Sequence, residues 1–244
     1  MGPEATDDLS RILAAGLPVL CLDTCSILDI LRDPTRDTAS SMDLAVALEL
    51  LTCVEQQDSL VVLVCDQVLV EFGGHIDEVA DECATQLRKL ADKVRAVDGI
   101  ANQFGASESA ATNHFHDHPG RARSVTDRWM NAAQRVRQSS DVSRRAYLRS
   151  MQGRAPAQKG KNSLKDCTVI ETYLEAICWL REQGFSQRAV FLSSNVHDYC
   201  GSNRCLHGDL QADFAGPKLD FAISYEVARG KLGLRPLRSA TTAL

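Results

Sequence analysis

Apolar residues fall into two kinds of run along this chain. Short unbroken runs predict strands over residues 19–22, 59–65, 188–192 and 219–223. Each is apolar nearly throughout, as strands covered on both faces are, and each is too short for a buried helix. Elsewhere the apolar residues recur at helical spacing. Leu44, Leu48, Leu51 and Val54 form one stripe after Ser41, and Ile170, Tyr173, Leu174 and Ile177 form another after Ser163. The second helix runs to about Glu182, where Gly184 ends it.

Asp66 is placed to cap a helix over Gln67–Phe72, and Gly73-Gly74 is expected to break or bend it. A long helix follows from His75, with Ile76, Val79, Cys83, Leu87 and Val94 on one face. Residues 99–122, with Gly99, Gly105, Pro119 and Gly120, read as loop. Residues 123–151 read as a basic helical stretch, and Gly153–Asn162 as a flexible basic loop. Short helices are expected near Leu210–Phe214 and Tyr225–Leu232, and a partly helical leader over residues 1–16. Strands alternating with helices predict a parallel sheet with helices on both faces.

Such sheets place ligand sites beyond the carboxyl ends of their strands. Polar groups cluster there. Cys21-Leu22-Asp23-Thr24 ends the first strand, and Phe191-Leu-Ser-Ser-Asn-Val-His-Asp-Tyr199 ends the third. Glu71 lies in a helix among Val68, Leu69, Val70 and Phe72. Asp166 shares its helix face with Ile170, Tyr173 and Ile177, at about 100° per residue, so it points toward the sheet. Each has an ordinary reading as well. Asp23 suits an Asx-turn or helix cap. Glu71 suits a wet helix face. Asp166 suits the last place of a Ser-x-x-Asp capping box, although that box prefers Glu or Gln.

Charge adds a second theme. Between Arg121 and Lys161, 11 Lys and Arg stand against 2 Asp, whereas the other residues carry 16 basic and 30 acidic groups. The basic residues are Arg121, Arg123, Arg128, Arg135, Arg137, Arg144, Arg145, Arg149, Arg154, Lys159 and Lys161. A basic segment on an acidic body predicts polyanion contact, with arginines suited to bidentate phosphate binding. Trp129 and Tyr147 could stack on bases, but a core position is the simpler expectation for both.

The nine cysteines are scattered, several of them inside apolar runs, which suits free thiols in a reducing compartment. No apolar run reaches membrane-spanning length and the first residues lack a signal core, so a cytoplasmic location is expected. His114-Phe-His-Asp-His118 would face three imidazoles one way if extended, as zinc ligands do; in a Gly- and Ser-rich loop, incidental histidines are the simpler reading.

In order, strand–Asp, strand–helix–Glu, helix-start Asp and strand–Ser-Asn-x-x-Asp form a specific series. The segments are Cys-Leu-Asp23-Thr-Cys-Ser, Val-Leu-Val-Glu71-Phe, Lys-Asp166-Cys-Thr-Val-Ile-Glu171 and Leu-Ser-Ser-Asn195-Val-His-Asp198-Tyr. The series resembles the PIN-domain nucleases, and a large bacterial subgroup with a helical insertion looks nearest. The resemblance implies one domain over residues 1–244 with a three-layer α/β/α fold, and a helical basic insertion over 84–160. It implies a cluster of acidic residues that binds Mg²⁺ or Mn²⁺ and cleaves RNA, with Asp23, Glu71 and Asp166 as metal-site acids. Asn195 and Asp198 both stand as candidates for the fourth position, and Ser194 takes the place of the family's Thr. Glu171 is expected as an outer contact. A toxin–antitoxin role, with an antitoxin protein as partner, and homodimerisation are family expectations. An RNA-binding module that does not cut is the second reading. A haloacid dehalogenase-type phosphatase needs Asp-x-Asp after the first strand, where this chain has Cys25.

Overall fold

The computed structural model describes residues 3–157 and 163–236. Its centre is β1, Val19–Leu22, every residue of which is buried. β2 (Val61–Cys65) lies on one side of it and β4 (Ala189–Leu192) on the other. β3 (Gln134–Val136) and β5 (Leu219–Ala222) form the edges, giving the order β3-β2-β1-β4-β5. All four pairings are parallel, with Val19 opposite both Val61 and Ala189. The strand ends are therefore level, and whatever follows β1, β2 and β4 emerges along one edge.

Helices cover both faces, as the three-layer α/β/α expectation requires. α1 (Pro3–Ala15) contacts β3, and the short α2 (Thr24–Leu28) follows β1 directly. α3 (Ser41–Gln56) packs on α10 (Tyr225–Leu232), which lies over β1, β4 and β5. α7 (Leu164–Glu182) lies against β2 and β3, with α6 (Ser140–Met151) packed on it. α4 (Asp66–Gln103) leaves β2, and α5 (Asn113–Ala132) packs back along it. α8 (Val196–Tyr199) and α9 (Gly208–Ala215) join β4 to β5. The path leaves β1 toward β2 and β3, then crosses to β4 and β5. The crevice between the ends of β1 and β4 is thus the topological switch point, where open sheets hold their ligands.

Several expectations need correction. Gly73 and Gly74 do not interrupt α4; Val68, Phe72, Ile76 and Val79 bury a continuous stripe across them, and that packing outweighs the roughly 1 kcal/mol cost of each helical glycine. Residues 99–122 are mostly helical, since α4 reaches Gln103 and α5 begins at Asn113. Burial of Ala122, Thr126 and Trp129 carries α5 through Pro119 and Gly120. Helical spacing puts His116 on the side away from His114 and His118, so the three do not converge. β3 lies where helix was expected. It is a three-residue polar edge strand in which Val136 alone is buried, so it leaves no apolar run to read.

The basic segment meets the acidic body residue by residue. Arg123 pairs with Asp77, Arg135 with Asp66, and Arg128 grips Glu55 with two bonds of 2.8 and 2.7 Å. Arg144 lies 3.7 Å from Asp141, and Arg121 donates to the His114 carbonyl. Arg145 donates to Glu171 and Glu175, tying α6 to α7. Arg149 is only 2% exposed and donates to Glu171, to Asp213 on α9 and to the Ala155 carbonyl. Arg149 is thus withdrawn from the surface that was expected to meet nucleic acid, and Glu171 serves this ion-pair lattice. Trp129 is buried as expected, but Tyr147 is 56% exposed and not in the core. Lys159 and Lys161 lie outside the described residues.

Removing one partner of a buried ion pair strands the other and costs about 3–5 kcal/mol. Arg149→Ala should destabilise the fold by that amount in chemical denaturation, whereas Arg128→Ala, at an exposed pair, should cost under about 1 kcal/mol. Equal effects would contradict the structural role assigned to Arg149.

Candidate active site

Asp23 leaves β1 as the N-cap of α2. It is 3% exposed. One carboxylate oxygen accepts from the Thr24 amide at 2.8 Å and the other from the Ser193 hydroxyl at 2.6 Å. Burial raises its pKa to about 6, opposed by the Ser193 bond and assisted by the charge of Glu71. The helix cap that was one reading of Asp23 is formed.

Glu71 lies between one and two turns into α4, where Val70 takes the outward position at 70% exposure. Glu71 turns back to the strand ends. It accepts from the Thr24 hydroxyl and from the Gln67 side-chain amide, both at 3.0 Å. Thr24 therefore joins two candidate acids, bonding Asp23 through its amide and Glu71 through its hydroxyl. Gln67 stands one turn before Glu71, the spacing at which helix side chains meet.

Asp166 occupies the first turn of α7 and is partly buried. Ser163 makes no side-chain cap bond to this helix, so the Ser-x-x-Asp box is not formed. Burial, then the charges of Asp23, Asp198 and Glu71, raise the Asp166 pKa to about 7. The charges that act most strongly on it are all carboxylates.

The segment after β4 completes the group. Asn195 caps α8 and donates its side-chain amide to Asp198 at 2.8 Å, while its carbonyl oxygen accepts from the Asp198 amide at 3.3 Å. Asp198 is the member of the pair whose charge Asp166 feels; Asn195 holds it in place. The hydroxyl on Asp23 belongs to Ser193, the residue before Ser194. Ser194 is fixed through its amide, which donates to the Ser26 hydroxyl at 3.0 Å.

Beneath these groups lies Tyr173, wholly buried. Its hydroxyl donates to the Leu22 carbonyl at 2.6 Å and accepts from the Cys65 amide at 3.2 Å. Those are the last residues of β1 and β2, and each precedes a site segment.

A family model described as the PIN domain matches residues 20–199, most of the chain. The chain belongs to the PIN-domain family. No curated protein and no solved structure matches it. PIN domains are generally nucleases, and the matched span includes all four acidic segments.

Whether these residues suit the divalent ion typical of PIN nucleases can be judged from their chemistry. Oxygen-only donors of high negative charge fit Mg²⁺ or Mn²⁺. Burial first, and then the charges of neighbouring carboxylates, raise the pKa values of Asp23 and Asp166, and a cation would offset both. Among the described residues, however, no three His, Cys, Asp or Glu side chains are already gathered into a metal shell. The acids fit in charge and donor type; Asp23 and Glu71 are turned to hydroxyl and amide partners, and Asp198 to the Asn195 amide and the His197 imidazole.

Thr24, Ser193, Gln67 and Tyr173 were not anticipated as site residues. Gln67 could have been found from its spacing to Glu71, and Ser193 from its neighbour Ser194. Nothing local marks Tyr173, which looks like one more member of an apolar stripe.

A carboxyl whose pKa is raised on folding keeps a proton that the unfolded chain releases. The associated stability is present below the ordinary value of 3.8 and is lost as pH rises through about 6 for Asp23 and about 7 for Asp166. In chelator, the melting temperature should therefore fall from about pH 4 to pH 7 and level off above. Asp166→Asn should flatten much of that slope and raise the melting temperature at alkaline pH. A melting temperature that rises over this window would contradict the repulsion.

Proposed function

We propose that this PIN-domain protein is a metal-dependent endoribonuclease that hydrolyses RNA phosphodiester bonds. The observation that carries the reading is the gathering of mutually repelling carboxylates from separate segments at the switch point of the sheet. In this reading Asp23, Glu71, Asp166 and Asp198 hold one or two Mg²⁺ or Mn²⁺ ions. Such an ion supplies charge neutralisation at the phosphate and activation of the attacking water.

The chain's own residues do the rest. The Ser193 hydroxyl and Thr24 amide fix the two oxygens of Asp23. Thr24 and Gln67 aim Glu71, and Asn195 aims Asp198. Holding carboxylates through hydrogen-bonded neighbours sets their orientation before a ligand arrives. Burial of Asp23 keeps water from screening its charge. The whole chain acts as one domain in this reading, with residues 84–160 an insertion whose arginines largely serve structure.

The test is cleavage of a pool of single-stranded and structured RNA with Mn²⁺, with Mg²⁺ and with chelator, and of DNA of matching sequence. Cutting should require a divalent ion, be abolished by Asp166→Asn, and fall about 10–100-fold in Ser193→Ala. Preferential cutting of DNA would overturn the RNA half of the reading. Binding without cutting under any metal would leave the chain an RNA-binding module.

A further inference from the structure

One cavity adjoins the acidic group. It is a groove of about 850 Å³ whose near wall includes Cys25, Ser194 and Asn195, and whose far wall is the loop from Asp29 to Ser40 together with the start of α10. That size is typical of ligand clefts, roughly 300–1,000 Å³.

Three arginines line it, Arg32, Arg36 and Arg204. Arg32 and Arg36 share a single carboxylate, Asp29, at 3.3 and 3.6 Å. Arg36 is further fixed by the Asp29 and Asp33 carbonyls, at 2.9 Å each, so the loop holds its guanidinium in place. Arg204 is exposed and has no ion pair among the described residues. The three arginines face four lining acids, but Arg32 has only a share of one carboxylate and Arg204 pairs with none of the described residues. Of the other lining acids, Asp43 is spent on the N-terminus of α10, where it accepts from the Glu226 amide at 2.9 Å. Asp37 and Glu226 are exposed on the wall. Arg32 also lies near enough to Cys25, two residues from Asp23, for its charge to act on the thiol.

This distribution differs from that of the basic segment. There Arg123, Arg128, Arg135, Arg145 and Arg149 each meet at least one carboxylate of their own in close contact. A phosphate would have to displace those partners. In the groove it would meet guanidiniums that are loosely paired or unpaired, beside the acids.

We propose that this groove carries a single-stranded polynucleotide away from the acidic group, with Arg32 and Arg204 contacting backbone phosphates next to the one that is cut. Arg36 is the positioning residue that holds the loop. The inference rests on the proposed function, since it takes the acidic group as the place of cutting.

The experiment is fluorescence anisotropy of a labelled single-stranded RNA, measured across a salt series in Mg²⁺, with the full chain carrying Asp166→Asn to prevent turnover. Each phosphate contact removed should lower the slope of log affinity against log salt by about 0.7 for a single strand. Arg32→Gln and Arg204→Gln should each show that decrease, and Arg128→Gln should not. Both side chains are exposed, so the variants keep the fold, which circular dichroism checks. Groove variants that bind as their parent does, a loss confined to Arg128→Gln, or no RNA binding by the parent would each overturn the proposal. The two readings fail separately. If the unmodified chain cuts RNA while the groove variants bind normally, the groove assignment falls and the nuclease stands. If binding depends on Arg32 and Arg204 but the unmodified chain never cuts, the groove stands and the nuclease falls.

Discussion

The hydroxyl of Tyr173 is the point on which the site depends. β1 and β2 pair only as far as Cys21 and Leu63, and beyond that their backbones need other partners. Tyr173 supplies both: a donor for the Leu22 carbonyl and an acceptor for the Cys65 amide. Burial pushes its pKa well above that of an ordinary phenol, which favours the protonated, donating form. Without that bridge, two buried backbone groups would lack partners, at about 1–3 kcal/mol each. The bridge also lets the strands part. Asp23 and α2 leave from one, Asp66 and α4 from the other, and the gap is closed above by Thr24 reaching Glu71. One side chain from α7 thereby sets the spacing of acids on two other segments, while the same helix brings Asp166 from its first turn.

The charge asymmetry has a different meaning in the folded chain than along it. An excess of arginine between residues 121 and 161 reads as a binding surface when only the sequence is in view. Folding places much of it against the acidic remainder. Arg149 shows why the pairing is specific. A guanidinium at 2% exposure is stable only with its donors satisfied, and Glu171, Asp213 and the Ala155 carbonyl satisfy them. The lattice joins α6, α7 and α9, and so anchors the helix that carries Asp166. The exposed pairs, such as Arg128 with Glu55, contribute little energy individually but still occupy the charges that a polyanion would need.

What could be read from the sequence divides along physical lines. The central strands and the helices after Ser41 and Ser163 were legible because burial on both faces, or on one stripe, leaves a direct mark in residue type. β3 was not, because an edge strand gains its place from pairing with Leu63, Val64 and Cys65 and has few apolar residues of its own. The helices through Gly73-Gly74 and through Pro119-Gly120 were hidden by local breakers that long-range packing overrides. Asp23, Glu71, Asp166 and Asp198 could be named because strand ends of a parallel sheet converge. Their holders were harder. Nothing local marks Thr24, and only the fold brings the carboxylate from 47 residues away to its hydroxyl. The exposure of Tyr147 and the burial of Trp129 could not be separated by residue type alone, since either aromatic suits a helix core.

The present partners of the acids follow from their own repulsion. Carboxylates placed together in a partly dry setting have three ways to lower their energy: to bind protons, to turn toward hydrogen-bond donors, or to share a cation. The first appears in the raised pKa values of Asp23 and Asp166. The second appears in Ser193, Thr24, Gln67 and Asn195, every one a neutral donor. Neutral donors orient a carboxylate without cancelling its charge, so they leave the third way open, whereas an arginine or lysine in their place would close it. The chain has ample arginine nearby and uses it elsewhere, on Glu171, Glu175 and Asp213. Acids that bind structure are therefore paired with guanidinium, whereas at the switch point Asp23 and Glu71 meet hydroxyls and amides, and Asp198 meets the Asn195 amide and the His197 imidazole, 3.0 Å away. That division by partner type separates a cluster suited to receive a cation from a cluster that is merely buried.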